Sequence, residues 1–233
     1  MWCLPSILEY IQLGLEQEDH LLRDQHAVRG IDALRETELH PLICQSFTAS
    51  PTHCLREVYY PSSPHEAPRG SQRDRCDLVL LPDGKKSLYD PVHAHKELLS
   101  ASGTLFEPVA QTPEIEPHEC DPRDAMWIEI KIIPQFRYVD GVPGPNAKYA
   151  HELLSGPGTD AIKLGADPMI AHGGLLVVLF NELQEAGVHD LSIAMRELID
   201  RDLPVGMPEM ETFPIVDRCG NAFCTLGLIP LRL

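Results

Sequence analysis

The chain is poor in cationic residues, has no long apolar run and carries none of the common nucleotide-binding or hydrolase signatures. Its 19 Lys and Arg stand against 35 Asp and Glu, a formal net charge of −16. That balance argues against broad, non-specific attraction to nucleic acid, which needs a cationic surface. It leaves room for a local basic groove. No apolar stretch approaches the roughly 20 residues that span a bilayer, so no membrane partner is expected. The N-terminus lacks a basic segment followed by an apolar run, the mark of a secretory leader. The seven scattered cysteines are therefore read as reduced thiols of a cytoplasmic protein. There is no H-E-x-x-H, no G-x-x-x-x-G-K-[ST], no G-x-S-x-G and no internal repeat.

What is present suffices for a sizeable core: 43% of the 233 residues are hydrophobic. The length suits one domain with an extension or insertion. Pro5 can open a helix, and Ile7, Leu8, Ile11 and Leu15 recur at helical spacing. Leu21, Leu22, Val28, Ile31 and Leu34 suggest a second helix. Residues 1–36 are thus expected to form a helical N-terminal extension, and residues 37–233 an α/β domain. Thr37 is a candidate N-cap, with Glu38 in the first turn where a carboxylate is favoured. Leu39, Leu42, Ile43 and Phe47 give that helix an apolar face.

Cys54–Tyr60 reads as a strand ended by Pro61, followed by a polar loop with Pro64, Pro68 and Gly70. Arg75–Leu81 reads as a strand buried on both faces, interrupted by one carboxylate, Asp77. Residues 84–125 are irregular and too long for a hairpin loop; they read as an insertion with a short helix at Lys96–Leu99. Met126–Ile133 is a β-branched, aromatic strand closed by Pro134. Side chains alternate along a strand, so Ile128, Ile130 and Ile132 point one way, Glu129 and Lys131 the other. Helices are expected from Asn146 through Leu154 and again from Thr159, then a buried strand over Leu175–Phe180. Asp190 would cap a last helix, and Phe213–Val216 with Ala222–Leu231 would form a hairpin. The order predicts a mixed central sheet flanked by helices.

A carboxylate and an amine fixed side by side on an otherwise apolar strand are costly unless compensated. Asp77 lies on what should be the neighbouring strand. Two carboxylates on adjacent strands can share a hard divalent ion. Such an ion polarises phosphate and activates water, and Lys131 would orient that water or stabilise transition-state charge.

Asp77 in "RCDLVLL", Glu129-Ile130-Lys131 in "WIEIKII", the preceding helix with Glu38, the strand with Glu57 ending in "YYP", and the later helix "TDAIKL" before "LLVVLF" together resemble the PD-(D/E)XK nuclease superfamily. The resemblance covers roughly 37–181. It implies the restriction-endonuclease-like αβββαβ core. It also implies Mg²⁺ or Mn²⁺ as cofactor, nucleic acid, above all DNA, as partner, and endonuclease activity by metal-activated water. Asp77, Glu129 and Ile130 would be metal ligands, Lys131 the catalytic lysine, and Glu38 a helper on the first core helix. Lys163 is a candidate phosphate contact, or else a surface partner of Asp160.

A catalytically inactive binding or assembly module built on the same fold is the alternative. Cys219-x4-Cys224 has the look of half a zinc site, and His93-x-His95 with His118, Glu119 and Cys120 is a candidate metal-binding group in the insertion. Ordinary hairpin thiols and solvated loop histidines explain these more simply.

Overall fold

In the computed structural model, which describes residues 2–61, 74–101 and 115–233, the long apolar runs become the centre of a sheet. The strands are β1 (His53–Tyr59), β2 (Arg75–Leu81), β3 (Ser87–Leu88), β4 (Glu119–Cys120), β5 (Met126–Pro134), β6 (Phe136–Val139), β7 (Val142–Pro145), β8 (His172–Asn181), β9 (Glu209–Pro214) and β10 (Phe223–Pro230). The helices are α1 (Leu4–Asp24), α2 (Glu36–Gln45), α3 (Pro91–Ala101), α4 (Tyr149–Gly165) and α5 (Gln184–Asp200). The main sheet has the order β1-β2-β5-β8-β10-β9. Among the described residues of this sheet, only β5 and β8 run parallel, joined through α4, and its other pairs are antiparallel. The expected mixed sheet flanked by helices is what forms.

Strand alternation sorts the apolar residues into two cores. Leu78, Leu80, Met126, Ile128, Ile130, Leu176, Val178 and Phe180 face α1 and α2. Val79, Leu81, Trp127, Ile133, Leu175, Val177 and Leu179 face α4 and α5. Strands buried on both faces need no polar alternation, which is why β2, β5 and β8 read as near-continuous apolar runs.

Several boundaries differ from expectation. Leu21 and Leu22 belong to α1, which continues to Asp24. The proposed second helix is only a 3₁₀ turn at Ile31–Ala33, and Val28 lies in solvent. α4 is one helix instead of two and carries Pro157 inside it. α5 begins at Gln184, so Asp190 is a helix-interior residue and not its cap. Of the insertion, α3 and the small β3–β4 pair are described. The loop containing Pro64, Pro68 and Gly70 lies outside the described residues.

α1 packs on β9 and β10. Two buried acids tie this end of the chain to the β9–β10 loop. Asp19 accepts from the Val216 amide at 3.0 Å and from the Arg218 guanidinium at 3.3 Å. Asp32 accepts from Asn221 Nδ2 at 2.8 Å and from the Cys219 thiol at 2.9 Å.

Candidate metal and active site

Polar side chains gather where β2 and β5 part. The two strands pair only over Leu78–Leu80 and Met126–Ile128, whereas β8 follows β5 along its whole length. Past Ile128, the Asp77 side chain stands in for the missing ladder. Its Oδ2 accepts the Ile130 main-chain N–H at 2.8 Å, so a buried amide keeps a partner.

The alternation of β2 slips at the same place. Cys76 lies with Val79 in the α4/α5 core, although strict alternation would put it with Leu78. Across the ladder, the Glu57–Asp77 rung is missing and Glu57 adopts φ +53°. Left-handed backbone at a non-glycine costs about 1–3 kcal/mol, and ladder breaks of this kind re-aim side chains. Asp77 is thereby turned toward α2, with Oδ1 3.9 Å from His40 Nδ1.

α2 contributes two more groups. Glu36 and His40 are four residues apart and share a helix face. One ligand atom each from Glu36, His40 and Asp77 lie within 4.8 Å of one another, and this group could hold a metal ion. His40 is 4% exposed and its Nε2 has no hydrogen-bond partner among the described residues. Burial pushes its pKa down to about 4, so near neutral pH the imidazole is uncharged with a lone pair to offer.

On the other face of β5, Glu129 is buried, and its Oε1 accepts from the Tyr60 hydroxyl at 2.6 Å and Lys163 Nζ at 2.7 Å. The Tyr60 ring stacks on Trp127 with centroids 6.0 Å apart, and Lys163 Nζ sits 5.0 Å above the same ring. Lys131 pairs with Asp160 of α4 at 2.9 Å. Gly156 makes room for the Lys131 stem: a Cβ there would stand 3.3 Å from Lys131 Cδ. The Asp77 and Glu129 carboxyls are neighbours, and the Asp77 charge acts on Glu129.

Burial raises the pKa of Asp77, of Glu129, where Asp77's charge adds to it, and of Asp160. Burial works against the charge on Lys131 and Lys163, but their contacts with Asp160 and Glu129 outweigh it and raise both.

Asp77, Glu129 and Lys131, far apart in the chain, are thus brought together. Ile130 meets the group through its main-chain N–H, which donates to Asp77 and is not a metal ligand. Lys163 faces the site and bonds Glu129, and Asp160 faces it too. Glu38 does not join them. α2 starts at Glu36 with Arg35 as its cap residue, so Glu38 falls at the third helical position. There it closes its own helix end, accepting the Arg35 N–H at 2.8 Å and meeting the Arg35 guanidinium at 3.1 Å. Glu36 is the acid of this helix that faces Asp77. His40, Tyr60 and Asp160 were missed; the Glu36-x-x-x-His40 spacing was the available signal for the first.

Among the described residues no metal-ligand group forms around Cys219 and Cys224 or around His93, His95, His118, Glu119 and Cys120. Cys219 serves the Asp32 network, and Cys224 is buried in the α1/α2 core. No family model, curated protein or solved structure matches the chain, so the superfamily resemblance stands on these residues and this strand order alone.

Proposed function

We propose that the chain is a Mg²⁺- or Mn²⁺-dependent phosphodiesterase that cuts nucleic acid, DNA in particular. The observation that carries this reading is the convergence of Asp77, Glu129 and Lys131 at the parting of β2 and β5, with Glu36 and His40 alongside. The donors suit a divalent cation: carboxylates favour Mg²⁺ or Mn²⁺, and the unpartnered imidazole favours transition metals. The bound cation supplies positive charge for the phosphate and an acidified water.

The protein's own groups do the rest. Asp77 would hold the cation together with Glu36 and His40, whose donor atoms lie within 4.8 Å of its own, and Glu129 would reach it from beside Asp77. Tyr60 fixes the carboxylate of Glu129 by its hydroxyl. Lys131 lies 31% exposed beside the carboxyls, placed to exchange Asp160 for a phosphoryl oxygen and stabilise charge there. Lys163, 30% exposed, is a second ammonium within reach of phosphate.

Purified protein is expected to nick plasmid with Mg²⁺ or Mn²⁺, and Lys131→Ala to slow nicking by about 10²–10³-fold. Inertness of the wild type on single-stranded, duplex and branched DNA overturns the reading.

One observation favours the non-catalytic module instead: both lysines already pair with carboxylates, so their charge is internally neutralised. Calorimetry separates the two. Mg²⁺ or Mn²⁺ binding that depends on Asp77 and Glu129 supports the enzyme, and no such binding supports the module.

A further inference from the structure

Away from these carboxyls, two thiols meet at the far end of α2. Cys44 lies in its last turn and Cys54 on β1, an edge strand. The Cys44 thiol donates to the Cys54 carbonyl oxygen at 3.3 Å, and the Cys54 thiol to the Leu55 carbonyl at 3.8 Å. Both line a cavity of about 490 Å³. Lys85 and Lys86 line it against one acid, Asp83, with the Lys85 ammonium donating to the Pro117 carbonyl at 3.0 Å. Both thiols are partly exposed, whereas Cys76, Cys120, Cys219 and Cys224 are buried.

We infer that Cys44 and Cys54 form a dithiol exchange site that takes a small anionic disulfide and closes into a Cys44–Cys54 bond. The two thiols are not equivalent. The neighbouring Cys54, helped by the Arg56 charge, lowers the Cys44 thiol from its ordinary range, and the nearness of Cys44 together with burial pushes Cys54 up. Cys44 is therefore the attacking thiolate and Cys54 the resolving thiol.

In the first step the Cys44 sulfur attacks one sulfur of the small disulfide. The S–S bond breaks, a mixed disulfide forms on Cys44, and one small thiolate leaves with the proton that Cys44 gave up. In the second step Cys54 loses its proton and attacks the Cys44 sulfur. The second small thiolate leaves and takes that proton. Two protein thiols are oxidised and one disulfide is reduced to two thiols. The cavity admits the small molecule, and the lysines face its carboxylates.

The test uses the full chain with Cys3→Ser, which removes the one fully exposed thiol. The folded protein is incubated with oxidised glutathione, quenched in acid, alkylated and peptide-mapped. A Cys44–Cys54 linked peptide, lighter by two hydrogens and free of adduct, is expected. Cys54→Ser is expected to accumulate glutathione on Cys44, and Cys44→Ser to give no link. Full alkylation of both cysteines after exposure of the folded wild-type pair, or linkage only after denaturation, overturns the inference. Neither result depends on whether the chain hydrolyses nucleic acid.

Discussion

The two halves of β5 behave differently. From Met126 to Ile128 the strand is zipped on both sides, to β2 and to β8, and its side chains are apolar and fully covered. From Glu129 onward it keeps only β8, and the freed side is lined by Asp77, Glu129 and Lys131. One strand thus serves as scaffold and as site, divided where its neighbour peels away. The lesson is physical: polar groups can be kept inside a sheet where the ladder opens, because the freed amides and the charges satisfy each other there.

Breaking the scaffold half should give the largest effect. Trp127 is fully buried and donates its indole N–H to the Pro122 carbonyl at 2.9 Å. Trp127→Ala is expected to cost about 3–5 kcal/mol of stability by denaturant titration. Lys131→Ala should do the reverse: stability near wild type, and nicking slowed by about 10²–10³-fold, the size of a lost charge-stabilising donor. A Lys131 variant that unfolds would erase the distinction between the halves.

His40→Ala should weaken Mn²⁺ binding at least about tenfold, more than Mg²⁺ binding, as calorimetry would read. Metal affinity should also fall on acidification earlier than for ordinary carboxylates. Asp77 and Glu129 have raised pKa values, so protons compete with the cation at higher pH.

The same shifts act on stability with a definite sign. A folded pKa raised above the unfolded one favours the fold at low pH, and that advantage is lost as pH rises through the folded value. At neutral pH the ionised Asp77 is therefore a burden on the cation-free protein. Asp77→Asn keeps an acceptor for the Ile130 amide and is expected to raise Tm by roughly 2–4 °C, about 1 kcal/mol in a chain of this length, while abolishing metal binding. A lower Tm at neutral pH would contradict that account. The smallest effect belongs to Glu38→Ala: a slight loss of Tm through the α2 end, with no change in metal affinity.

How much was legible follows from the periods involved. A strand has a period of two, so the facing of Glu129 and Lys131 away from Ile128, Ile130 and Ile132 could be read directly, and the structure agrees. A helix has a period near 3.6, and a start misjudged by one or two residues rotates its face. Placing the cap at Thr37 instead of Arg35 pointed to Glu38 and hid Glu36 and His40. Pro157 suggested a break in α4 because proline lacks the amide an interior turn needs. The helix continues there, with Gly156 and Gly158 giving close passage to Lys131 and Arg201. Tyr60 was invisible as a site residue because nothing local marks it. Its role arises only when β1 lies beside β2 and brings its hydroxyl to Glu129.

The bonds from Asp19 and Asp32 to the β9–β10 loop have a consequence for synthesis. α1 leaves the ribosome before every other element described, yet the surface that covers Ile7, Leu8, Ile11 and Leu15 includes β9 and β10, which follow all the rest. Its oily stripe must wait until β10 is made, open to wrong partners. Chaperone demand should then fall on the nascent chain more than on the finished protein.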